Sequence, residues 1–130
     1  MKKTISWIAA LIAAVILLQT LYFKFTAQPE SVYIFSKLGL EPYGRIGSGV
    51  SELLAGILLL IPRTRIWGAL LGLGIISGAI VSHLFVLGIE VQNDGGQLFF
   101  LALAVFISCF LIVFMQKEEV INKFKAVLKL

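Results

Sequence analysis

Residues that carry redox and metal chemistry are almost absent from this sequence. It contains one cysteine, Cys109, so it cannot form a disulfide within the chain or supply a pair of redox-active thiols. It contains one histidine, His83, and no cluster of cysteine and histidine has the spacing of metal ligands. Phosphate-binding glycine loops, nucleophile elbows and haem-attachment motifs are missing as well. We therefore expect no metal site and no self-sufficient catalytic set.

Charge is equally scarce. Charged residues make up 14% of the chain and hydrophobic residues 59%, whereas a soluble domain carries roughly a quarter charged residues. This balance excludes a water-soluble fold and leaves no polar sequence for a second domain. Basic patches with interleaved aromatic residues, which would indicate nucleic-acid binding, are also missing. We predict a single transmembrane domain over residues 1–130, surrounded by the lipid bilayer.

Long apolar runs are what the sequence does contain. Four runs are each near the ~20 residues with which a helix crosses ~30 Å of hydrocarbon. They cover residues 4–25, 43–61, 66–89 and 95–115. The first run is too long for the apolar core of a signal peptide, so we interpret it as a membrane helix. The runs predict an all-α integral membrane protein, a bundle of four transmembrane helices.

The segment between the first two runs is predicted to hold a short helix. Apolar residues cluster between Glu30 and Leu38, with Pro29 just before them and Gly39 just after. Proline in the first turn and glycine after the last turn are typical of helix ends. We expect this helix to lie at the outer membrane interface and to cover the ends of the other helices.

The basic residues fall mainly on one side of the predicted bundle. That side carries Lys2, Lys3, Arg63, Arg65, Lys117, Lys123, Lys125 and Lys129, and the other carries only Lys24, Lys37 and Arg45. The positive-inside rule then places both termini in the cytoplasm. Residues 116–130 space apolar residues at helical intervals between lysines. We predict that this amphipathic tail continues the fourth helix or lies on the cytoplasmic membrane surface.

The third run carries two series of small residues at intervals of four. The first is Gly68 and Gly72, and the second is Gly74, Gly78 and Ser82. Small residues let helix backbones approach closely, which is how helices associate inside a membrane. We favour packing among the four helices of one chain, because a bundle needs such a face. A homodimer seam is the alternative.

Polar residues of different runs fall at similar depths in the outer half of the bundle. They are Gln19, Lys24, Arg45, Ser48, Glu52, His83 and Gln97. Ionisable groups in hydrocarbon are costly unless they are paired, so each suggests a function. Glu52, near the middle of its run, must be protonated or paired with a basic residue, Arg45, Lys24 or His83. We predict a polar pocket that opens toward the outer face; a purely structural ion-pair network is the alternative.

Several segments of the sequence resemble the DoxX-like family of small membrane proteins. Residues 45–62, which read RIGSGVSELLAGILLLIP, resemble the second-helix signature of that family. Lys24 after the first helix, residues 38–42 (LGLEP) and residues 65–69 (RIWGA) fit the same pattern. The likeness extends over most of the chain.

The resemblance implies a four-helix bundle in a bacterial inner membrane. It implies a link to quinone-coupled oxidation as an accessory subunit, to membrane-bound oxidative-stress complexes or to assembly of other membrane proteins. A related branch handles disulfides, but this chain lacks the cysteine pair for that chemistry. Carried over by position, the resemblance makes Lys24, Arg45, Glu52 and His83 the candidates for the polar site of the family.

Three functions remain open at this point. The first is a binding or assembly subunit whose pocket holds a lipid, a quinone or a helix of another membrane protein; the lack of a catalytic set favours it. The second is a subunit of a quinone-coupled membrane oxidoreductase, in which Glu52 and His83 protonate or position the quinone. The third is a proton-coupled transporter built on the mid-depth carboxylate, which would require a dimer to provide alternating access.

Overall fold

The computed structural model describes residues 2–91 and 94–128, which contain helices and no strand. The helices are α1 (Lys2–Phe25), α2 (Pro29–Lys37), α3 (Tyr43–Leu60), α4 (Arg65–Ser82), a π-helix (His83–Leu87), α5 (Gln97–Met115) and α6 (Lys117–Leu128). The all-α prediction is confirmed for these residues. Residue 1, residues 92–93 and residues 129–130, the last two belonging to the predicted tail, lie outside the described part of the chain.

Three helical stretches of the described chain are long and apolar enough to cross a membrane. They are Lys3–Phe25, Arg65–Leu87, which joins α4 to the π-helix, and Gln97–Met115. The chain is therefore a membrane protein. Helix α3 is not among the three, because Arg45 and Glu52 lower the hydropathy of its 18 residues. The fourth crossing remains a prediction.

The long helices form a ring in which α1 and α4 each pack against both α3 and α5. Its centre combines large buried side chains such as Leu59 and Ile112 with small ones, and α1 contributes four fully or almost fully buried alanines, Ala9, Ala10, Ala13 and Ala14. Many other large apolar side chains point outward, among them Val50 and Phe110, which are more than half exposed. Apolar side chains on the outer surface are expected for helices that face lipid rather than water.

Two of the predicted packing glycines lie against neighbouring helices. A Cβ added to Gly68 would lie 2.6 Å from the Leu59 backbone nitrogen, and one added to Gly72 would lie 2.9 Å from Cys109 Sγ. A Cβ at Gly74 or Gly78 would meet open space. Ser82 donates a hydrogen bond back to the Gly78 carbonyl at 2.8 Å. Gly68 and Gly72 therefore serve close packing within the chain, whereas Gly74 and Gly78 lie on an outer face.

Helix α2 ends in a glycine motif that directs the chain back toward α3. Gly39 has a φ of +75°, which favours glycine. Its N–H bonds the Ser36 carbonyl at 3.0 Å, and the Leu40 N–H bonds the Phe35 carbonyl at 2.8 Å. These two bonds form a Schellman motif and satisfy carbonyls at the helix end. The segment between the first two long helices is therefore helical, and its position at the outer membrane interface remains a prediction.

Asp94 organises the start of α5. Its Oδ1 accepts hydrogen bonds from the Val91 and Gly96 backbone N–H groups at 3.0 and 2.8 Å, and its Oδ2 accepts one from Leu98 at 3.3 Å. Burial opposes ionisation of the carboxyl, but the three backbone donors outweigh it and lower the pKa of Asp94 below its ordinary value. The carboxylate thus fixes the loop that leads into α5.

Candidate functional site

A cavity of about 340 Å³ lies between the helices at the end of the bundle where α2 is located. We call it the polar cavity. It is lined by every predicted pocket residue except Arg45: Gln19, Lys24, Ser48, Glu52, His83 and Gln97. Its volume falls in the range of small-molecule sites, about 300–1,000 Å³. The structure therefore brings these residues from α1, α3, α5 and the π-helix to one space.

The walls of the polar cavity are mainly apolar. Helices α1, α4 and α5 contribute side chains such as Leu17, Ile76 and Leu101, and α2 contributes Ile34 and Phe35. A few polar groups on apolar walls are typical of sites for small organic ligands. Helix α2 therefore forms part of the enclosure and is more than a linker.

Glu52 is buried and has a hydrogen-bond donor for each carboxylate oxygen. The whole residue is 4% exposed. Oε1 accepts a hydrogen bond from the Lys24 ammonium, and Oε2 accepts one from the Thr20 hydroxyl at 2.6 Å. A buried ion pair persists when such bonds offset the loss of hydration. The partner of Glu52 is Lys24, one of the three candidates from the sequence.

Lys24 connects three helices at the edge of the polar cavity. Its ammonium pairs with Glu52, donates to Ser48 Oγ at 3.2 Å and lies 5.8 Å from the centre of the Phe35 ring. A cation at that distance is attracted by the face of an aromatic ring. Because Phe35 belongs to α2, this contact links α2 to the ion pair.

Arg45 is buried beside the polar cavity but does not line it. Its Nε donates to both carboxylate oxygens of Glu41, at 2.8 and 3.1 Å, and its NH1 donates to the backbone carbonyl of Lys24. That carbonyl lies in the last turn of α1, where carbonyls lack partners within the helix. Arg45 therefore holds the end of α1 against α3 and positions Lys24 through its backbone carbonyl.

His83 lies on the α4 side of the polar cavity and makes no contact with Glu52. It is 5% exposed, and its Nδ1 lies 2.9 Å from the Gly88 carbonyl oxygen. A carbonyl only accepts, so Nδ1 carries the proton, and in the neutral ring Nε2 is an acceptor. The ring also meets Phe99 edge to face, with centroids 5.6 Å apart. The cavity thus contains two separate polar centres.

The structure adds site residues that were not expected from the sequence. Thr20 donates to Glu52, and Glu30 and Ser31 of α2 line the polar cavity. Thr20 precedes Lys24 by four residues and so shares its helical face, a signal that could have identified it. Gln19 and Gln97 are exposed residues at the rim. In the described part of the chain, no three His, Cys, Asp or Glu residues converge as metal ligands.

The chain matches a known protein family. The family model described as the DoxX-like family matches residues 8–110. This range includes Lys24, Glu52 and His83 and excludes α6. Neither the curated proteins nor the solved structures contain a significant match to the chain.

Proposed function

The chain belongs to the DoxX-like family, and from this premise we propose that it is a membrane-embedded binding subunit that holds the head group of a quinone or lipid in its polar cavity. In this function it performs no chemistry alone and serves as an accessory to another membrane protein. The observation that carries the proposal is the buried Lys24–Glu52 pair on the wall of a mainly apolar cavity of about 340 Å³.

The proposed topology has four crossings, with α3 as the second. Its 18 residues rise about 27 Å. The two charges that lower its hydropathy are both bonded within the chain, Glu52 to Lys24 and Arg45 to Glu41. Val50 and Leu54 on its outer face are 55% and 51% exposed, which suits contact with lipid.

Four crossings place both termini on one side. The excess of basic residues there favours the cytoplasm, and a bacterial inner membrane is the proposed location. The polar cavity then opens toward the outer face. Helix α2 lies at the outer membrane interface and covers the polar cavity.

The polar groups that remain available in the cavity indicate the chemistry of the ligand. An ammonium has three N–H donors, and Lys24 uses two of them for Glu52 and Ser48. One donor is left for a ligand oxygen. On the α4 side, His83 Nε2 is left as an acceptor for a ligand O–H or N–H. A quinol has oxygens that accept and hydroxyls that donate, and its isoprenoid tail suits the apolar walls.

Mass spectrometry of the purified protein tests this proposal. We expect solvent extracts of protein in detergent to contain a quinone or one lipid class at a stoichiometry near one. The Glu52→Gln and His83→Ala variants should retain about tenfold less ligand. The first loses the carboxylate that holds Lys24 in place, and the second loses a hydrogen bond to the ligand. Glu90→Gln is the matched control, since Glu90 is exposed and does not line the cavity. Equal ligand content in all variants would disprove the proposal.

A role within a quinone-coupled oxidoreductase is the second candidate, and His83 favours it. With Nδ1 donating to the Gly88 carbonyl, Nε2 is the ring nitrogen left to accept a hydrogen bond from a quinol hydroxyl and so to position the quinol. Electrons would then pass to a redox centre on a partner protein. Quinol oxidation in membranes containing the partner should fall with His83→Ala but keep its rate with Glu90→Gln.

The transporter hypothesis has less support. It is based on the lone carboxylate at mid-depth, and Glu52 is bonded there to Lys24 and Thr20, which favours a fixed ion pair over a proton carrier. Proteoliposomes distinguish it from the other two candidates. A proton flux that disappears in Glu52→Gln would favour transport over both.

A further inference from the structure

A second cavity, of about 420 Å³, lies at the opposite end of the bundle. It is located where α1 and α4 begin and α5 ends, and we call it the Arg65 cavity. Its lining residues are Lys3, Ser6, Trp7, Pro62, Arg65, Met115 and Gln116. Two of these side chains are basic and none is acidic, so the cavity favours an anion.

Arg65 is held rigidly in this cavity and keeps one donor group free. The residue is 4% exposed. Its Nε donates to the Leu59 carbonyl at 2.8 Å, its NH1 donates to Ser6 Oγ at 3.2 Å, and its guanidinium lies 4.0 Å from the centre of the Trp7 ring. Its buried NH2 has no hydrogen-bond partner among the described residues. An unsatisfied buried donor on a charged group is costly.

Gln116 supplies the complementary unsatisfied group. It lies between α5 and α6, and its buried Oε1 also has no partner within the described chain. The residues that carry the two orphaned atoms therefore line one cavity, and one atom is a charged donor while the other is a neutral acceptor. A ligand that satisfies both must offer an acceptor to Arg65 and an N–H or O–H donor to Gln116, and the positive charge of Arg65 favours an anionic oxygen as that acceptor.

We propose that the Arg65 cavity binds the phosphate of a phosphate compound that also carries a hydrogen-bond donor. Arginine presents its N–H groups in a planar fork that suits phosphate oxygens. The donor for Gln116 would be the ammonium of phosphatidylethanolamine or the hydroxyl of free monoanionic phosphate. The cavity lies at an end of the bundle, where the head groups of a bilayer are found. This site is separate from the polar cavity and does not depend on its ligand.

Native mass spectrometry of the full chain in detergent tests this site with defined lipids. Phosphatidylethanolamine and phosphatidylcholine form the key pair, since both contain a phosphate but only the first has N–H donors. We expect one bound phosphatidylethanolamine and roughly fivefold weaker binding of phosphatidylcholine, because Gln116 Oε1 then lacks a donor. Displacement by millimolar inorganic phosphate would identify free phosphate as a ligand, and retention of the lipid would identify the head group.

Variants separate the site from general charge attraction. Arg65→Lys keeps the charge but removes the planar fork, and should weaken binding about tenfold. Arg63→Gln is the control, because Arg63 is exposed and two residues away, and it should change binding less than twofold. Gln116→Leu carries the test if Arg65→Lys does not fold, since it removes the acceptor and should abolish the preference for phosphatidylethanolamine over phosphatidylcholine. Equal losses in Arg65→Lys and Arg63→Gln, or an unchanged preference in Gln116→Leu, would overturn the proposal.

Discussion

The Lys24–Glu52 pair allows a quantitative test of how the bundle holds a charge. Glu52→Gln leaves the Lys24 ammonium without its carboxylate while its side chain is only 14% exposed. Breaking a buried pair by removing one partner costs roughly 3–5 kcal/mol. Lys24 keeps its bond to Ser48 and its contact with Phe35, so we expect the lower end, about 3 kcal/mol.

A double-mutant cycle isolates the interaction between the two side chains. Lys24→Met removes the cation while keeping a flexible apolar stem, and the double variant removes both charges. We expect the double variant to be less destabilised than the sum of the single variants, with a coupling of about 2 kcal/mol, within the range for directly contacting residues. Unfolding in mixed micelles with increasing dodecyl sulfate measures the four stabilities. Additive effects would show that the two residues do not stabilise each other, and the reasoning on the site would fail.

Three further predictions concern packing, the α5 loop and topology. Gly68→Ala should destabilise by roughly 1–3 kcal/mol, because its Cβ would meet backbone atoms, whereas Gly74→Ala should stabilise by up to about 1 kcal/mol in the same assay. The lowered pKa of Asp94 contributes stability that is present above its ordinary value of 3.8 and is lost as the pH falls through the folded-state pKa. Asp94→Asn should lack this loss on acid titration. The Glu90→Cys variant should react with an impermeant thiol reagent added outside. Buried Cys109 should not be labelled. Labelling only from inside would show that the topology is the reverse of the proposed one.

Sequence patterns were sufficient to predict the long helices and to place the polar residues at similar depths. They were not sufficient to predict which polar residues pair with each other. A helical period of 3.6 puts Glu52 and Arg45 on one face of α3 and leaves open which residue of α1 reaches each of them. Arg45 had closer partners, Glu41 one turn away and the Lys24 carbonyl at the end of α1. The Lys24 ammonium therefore pairs with Glu52. The resemblance to the DoxX-like family is confirmed by the match over residues 8–110.

The small residues of α4 form two series, and their spacing alone did not show which series lies against a neighbouring helix. Six residues turn a helix by about 600°, so Gly74 lies about 120° around the axis from Gly68. Gly68 and Gly72 lie against atoms of neighbouring helices, whereas a Cβ at Gly74 or Gly78 would meet open space. The π-helix that begins at His83 had no periodic signal either, because its wider turn spans only five residues; the His83 side chain bonds the Gly88 carbonyl at its end.

The two ion pairs beside the polar cavity bear on how the chain enters the membrane. In the proposed topology, Lys24 and Arg45 must both be carried across the bilayer during synthesis. Arg45 pairs with Glu41 four residues away, so this charge can cross as a neutral unit within one hairpin. Lys24 has its carboxylate on α3. Its crossing is therefore least costly when α1 and α3 leave the translocation machinery side by side, which couples the insertion of the first crossing to that of the second.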